Sequence, residues 1–71
     1  MASQRDACIA LARQRVAKGR QLIGRQKSVI DIKREAGMDF ASSLNRLAEM
    51  QQSQLILEDN WEQLLREKDR K

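Results

Sequence analysis

A chain of 71 residues, 41% hydrophobic, with one cysteine, no histidine and a formal charge of +4 is one small domain at most, and chains this short bury a modest share of their surface on folding. The lone Cys8 excludes an internal disulfide, and without histidine it also excludes the cysteine/histidine cage of a structural zinc site. Of the usual supplements to a small core, oligomerisation remains.

The opening Met1-Ala2-Ser3-Gln4-Arg5-Asp6 lacks the apolar core of a signal peptide. No apolar run approaches the roughly 20 residues that cross a bilayer. The protein therefore reads as soluble and cytoplasmic, with Cys8 a small semi-buried side chain rather than a reactive thiol.

Abundant Ala, Leu, Arg, Gln, Glu and Lys and the absence of proline favour helix, because these residues lose little rotamer freedom there. A first helix is predicted over about residues 4–36. Ile9, Val16, Ile23 and Ile30 recur at seven-residue spacing and define position a of a heptad. Position d carries Ala12, Gly19, Gln26 and Lys33, so this is no leucine zipper, while Leu22, Val29 and Ala36 widen the apolar face at g. Gly19 and Gly24 are flanked by helix formers and read as isolated helical glycines.

The strongest local signal is Ala36-Gly37-Met38-Asp39. Glycine takes the left-handed conformation that ends a helix, aspartate caps the next one, and Met38 folds back near Ile32 or Lys33, which sets a turn over 37–39. The second helix follows over about 40–68, with Phe40, Leu47, Gln54 and Trp61 at a, Ser43, Met50, Leu57 and Leu64 at d, and Leu44 and Leu65 at e. A tight antiparallel turn sets Ile30 against Leu47 and Val16 against Trp61. Trp61 and Leu57 then fall beside Ala12 and Gly19, which serve as packing space. Gln26, Gln51 and Gln54 read as half-exposed, a polar layer that fixes register being the alternative.

Leu55, Ile56 and Leu57 point in three directions about 100° apart, so one neighbouring helix cannot cover them all. Leu11 and Ile32 also lie off the seam of the first helix. The expected architecture is all-α: two long antiparallel helices pairing with a second copy as a homodimeric four-helix bundle. The expected partner-binding residues are Leu11, Ile32, Leu55, Ile56, Trp61 and Leu65.

Charge divides at the same turn. Residues 1–36 hold nine basic and three acidic side chains, residues 37–71 five and seven, and residues 7–30 contain no acid at all. Arg13, Arg20, Lys27 and Arg34 form the e column of the first helix; of these only Arg20 meets an obvious acid, Glu58, across the hairpin. The column reads first as flanking charge whose stems cover apolar surface and whose heads reach water or the acids of a partner. Its alternative is a phosphate-binding stripe using Arg13, Arg20, Arg25 and Lys27, with no aromatic side chain on the first helix for base stacking. A membrane-surface role is weaker still, because the apolar face of the first helix is narrow and lacks Trp or Phe anchors.

Without histidine, general acid/base catalysis at neutral pH loses its commonest agent. Glu58, Asp59 and Glu62 cluster at helical spacing but read as a solvated acidic face, and neither Gly19 nor Gly24 sits in a phosphate loop. No enzyme, metal or cofactor is expected.

From residue 16 to about 65 the chain resembles small uncharacterised helical-hairpin proteins common in alphaproteobacteria. The resemblance is carried by Ala17-x-Gly19, Ile23-x-Arg25-Gln26, Ile30, Gly37-x-Asp39 and Leu47. It implies a basic first helix and a glycine-x-aspartate turn, and no activity. This chain departs from the group at Phe40, where a threonine often follows the aspartate. The function expected is a non-enzymatic interaction or scaffold module, with a small nucleic-acid-associated protein as the alternative.

Overall fold

A computed structural model describes residues 4–69; residues 1–3, part of the segment read above for a signal peptide, lie outside the described residues. The fold is an antiparallel helical hairpin of α1, Gln4–Glu35, and α2, Ala41–Asp69, and the described residues form no strand. Terminal charges suit the helix dipoles, with Asp6 in the first turn of α1, Lys33 and Arg34 in its last, and Arg66 and Lys68 in the last turn of α2.

The turn follows from backbone chemistry. Gly37 has φ 71°, a conformation in which a side chain is strained. This lets the Met38 N–H donate to the Lys33 carbonyl at 2.8 Å and the Gly37 N–H to the Arg34 carbonyl at 3.1 Å, the two bonds of a Schellman ending. Met38 makes the backbone bond but keeps its side chain exposed. The Asp39 carboxylate accepts from the Ala41 N–H at 3.0 Å, so aspartate caps α2 even with Phe40 behind it. Phe40 is half-buried, with the Arg34 guanidinium 5.4 Å from its ring centroid.

The Cα atoms span 55 × 20 × 13 Å, the dimensions of a single layer in which each helix has one neighbour. The a and d positions of both heptads face inward, yet one layer encloses little. Ala12, Val16 and Ile30 are the buried apolar residues, joined by the buried polar Ser43 and Gln54. Ile23, Leu47, Met50, Leu57, Trp61 and Leu64 are half-buried.

Gly37→Ala keeps every side-chain contact and strains only the turn. It should cost about 1 kcal/mol, readable as a lower thermal midpoint in circular dichroism; an unchanged midpoint would remove the turn from the stability of the hairpin.

Candidate functional site

The middle of the seam is polar. Gln54 is 6% exposed, and its Nε2 donates to the Val16 carbonyl at 2.9 Å. That carbonyl lies inside α1, and the amide reaches it because the facing residue is Gly19. A Cβ on Gly19 would overlap the Gln54 Oε1 and stand 2.8 Å from its Cδ. This corrects the reading of Gly19 as space for Leu57 and Trp61: the glutamine amide occupies it. Gln54 is likewise not half-exposed, because a buried amide is retained only where it is hydrogen-bonded. Nearer the turn, Ser43 takes a matching role. Its carbonyl accepts from Gln26 Nε2 at 2.9 Å and its hydroxyl from Lys33 Nζ at 2.8 Å.

Trp61 lies on the same seam, half-buried. Its indole N–H is shielded and has no acceptor among the described residues. The open end is fastened by Lys68 Nζ and Asp6 Oδ1 at 3.3 Å and by Arg5 donating to the Glu67 carbonyl at 3.3 Å.

The expected pair of Arg20 with Glu58 is formed, through Nε at 3.1 Å and a second bond from Nη2. Arg34 stacks on Phe40. Arg13, Arg25 and Lys27 are exposed and meet no carboxylate among the described residues. The cluster at Glu58, Asp59 and Glu62 is internally occupied: Glu58 by Arg20, Asp59 by Gln63 at 3.4 Å, and Glu62 by Arg66 at 2.8 Å. Among the described residues no group of three His, Cys, Asp or Glu side chains is placed to hold a metal, and no helix is long and apolar enough to cross a membrane.

What remains is the outer surface. Leu11, Ile32, Leu55, Ile56 and Leu65 are exposed, as are Leu22, Val29 and Leu44, which the expected partner set omitted although their g and e positions marked them. Four of them, Leu11, Leu22, Leu55 and Leu65, line grooves on two sides of the hairpin. One groove is lined by Arg20, Lys27, Gln51, Leu55 and Glu58 and is extended by Trp61, Glu62 and Leu65. The other is lined by Gly19, Leu22, Arg46, Met50 and Leu57 and is extended by Leu11, Arg15 and Lys18. Thus the outward leucines of α2, Leu55 and Leu65, line one side, and those of α1, Leu11 and Leu22, line the other, where Leu57 of α2 borders them. Ile56 belongs to neither groove and faces away with Glu49 and Gln52. No protein-family model, curated protein or solved structure matches the chain.

The two helical glycines separate by this geometry. Nothing lies within 4 Å of a Cβ on Gly24, so Gly24→Ala should gain about 0.5–1 kcal/mol from helix propensity alone. Gly19→Ala gains the same propensity but displaces the Gln54 amide, and should be less stable than Gly24→Ala by about 1–2 kcal/mol. Urea melts of both variants check this; equal midpoints would disprove the role given to Gly19. At Trp61 the shielded N–H makes no bond, so Trp61→Phe should cost under about 1 kcal/mol where Trp61→Ala costs about 2–3. A Phe variant as damaged as the Ala variant would mean that the N–H has an acceptor.

Proposed function

We propose that the chain is a non-enzymatic interaction module that self-associates through the leucine-bearing flanks of its helix pair. One observation carries this reading, the extent of the surface. The hairpin exposes 5900 Å², where a compact monomer of this mass exposes about 4500 Å². The surplus is of the order that one specific protein interface buries, about 1200–2000 Å² in total. It includes Leu55 and Ile56 at 68% and 70% exposure and Ile32 at 64%, on a scaffold with little enclosed core. A second hairpin, four helices in all, is the smallest addition that supplies a flank with a helical neighbour.

Phosphate binding by the basic face draws less support. Arg20 and Arg34 of the column are already engaged, by Glu58 and Phe40, which leaves Arg13, Arg25 and Lys27 exposed without a carboxylate partner among the described residues. A mobility-shift titration across salt discriminates the two readings: retardation that falls steeply as salt rises favours nucleic acid, and no retardation at low salt removes it.

Sedimentation equilibrium at micromolar concentration should give a mass above the 8.2 kDa of one chain. The thermal midpoint should rise with protein concentration, since association stabilises the folded state by mass action. A single-chain mass with a concentration-independent midpoint would defeat this function.

A further inference from the structure

Outside the seam, each helix carries a second stripe at spacings of three and four residues. On α1 it runs from Leu11 through Leu22 to Ile32, with Arg15 and Lys18 between the two leucines. On α2 it runs from Leu65 through Leu55 to Leu44, with Glu62 and Glu58 between Leu65 and Leu55. Laid antiparallel, the stripes coincide: Leu11 stands beside Leu65, Leu22 beside Leu55 and Ile32 beside Leu44. In that register Arg15 stands beside Glu62 and Lys18 beside Glu58, acids that Arg66 and Arg20 of their own copy already touch and would share with the arriving cations, and Val29 meets the small Ala48. Arg25 falls beside Gln51, a neutral neighbour.

Neighbouring registers lose this match. A heptad slip one way sets Leu55 on Arg15 and Leu44 on Arg25, and the other way sets Leu65 on Lys18 and Glu62 on Leu22, stripping charges of solvent against apolar side chains. Docking α1 on a second α1 opposes cation to cation, because residues 7–30 contain no acid. The occupant that fits the α1 stripe is the α2 stripe of another copy.

The two stripes open to opposite sides of the hairpin. A closed two-fold bundle that used both would need them on one side. A contact between unlike surfaces leaves each copy with one stripe still free, which is the heterologous case that adds subunits in series. We propose that the α2 stripe of one copy docks antiparallel on the α1 stripe of the next, with Leu55 on Leu22 and Glu62 on Arg15, so that hairpins add side by side. This rests on the self-association proposed above and specifies its partner surface, register and open geometry.

The test uses the full-length chain with Leu22→Arg or Leu55→Arg, each breaking one stripe at an exposed position and leaving the other intact. Each variant alone should sediment as the 8.2 kDa chain. Their equimolar mixture should give twice that mass and nothing larger, because one intact α2 stripe meets one intact α1 stripe. The wild-type chain should pass beyond a dimer as concentration rises. If a variant alone loses helicity by circular dichroism, mixing should restore it. For the register, Arg15→Glu should weaken association and the added Glu62→Arg should recover it. A mixture that stays at the single-chain mass, a charge swap that recovers nothing, or a wild type that stops at a dimer overturns the open pairing while self-association stands. A wild type that is one chain at every concentration overturns both.

Discussion

The hydrogen bond from Gln54 to the Val16 carbonyl, made through the gap that Gly19 leaves, is the constraint on which the register of the hairpin depends. A buried amide without a partner costs about 1–3 kcal/mol, so a sliding α2 meets a penalty wherever Gln54 faces a side chain instead of a glycine. Ser43 adds a second stop near the turn, where Gln26 and Lys33 converge on it. Aliphatic burial by itself is a weak guide, because Val16 and Ile30 contribute about 1.5–3 kcal/mol each wherever they find cover. Polar satisfaction decides alignment in this seam, much as a buried polar residue does in a coiled coil.

The same economy explains the shape of the molecule. Ordering each residue costs about 1–2 kcal/mol of backbone entropy, and a layer one helix thick has few places to recover it. Its inner face is small and partly polar, while Leu22, Leu55 and their neighbours face outward. The inner seam thus carries specificity, and the outer flanks hold the apolar area on which further stabilisation draws. The surface function proposed above draws on this distribution.

Much of this was legible in the residues. Heptad spacing identified the inward positions on both helices, and Gly37 with Asp39 marked the turn, because both signals are local and written in backbone chemistry. The pair of Arg20 and Glu58 followed from the two e columns. Gln54 was misread because period gives the direction of a side chain but not whether its amide finds a partner. Matching Gly19 to Leu57 and Trp61 weighed size alone; asking which seam residue needed an acceptor on the facing backbone would have selected Gln54. That the α1 and α2 flanks face opposite sides is a property of the assembled pair. It becomes readable only once chain direction and seam are fixed together.

The shielded indole of Trp61 has a practical consequence. It is the chain's one tryptophan, half-buried on the inner seam, and it also lines the groove that holds Glu58, Glu62 and Leu65 of the α2 stripe. Indole emission moves to longer wavelength in water, so the fluorescence of the native protein reports, without any label, water reaching this edge of the seam, whether α1 parts from α2 or the α2 groove is uncovered. Read beside a hydrodynamic measurement of mass, an emission shift at unchanged mass marks parting of the two helices in solution.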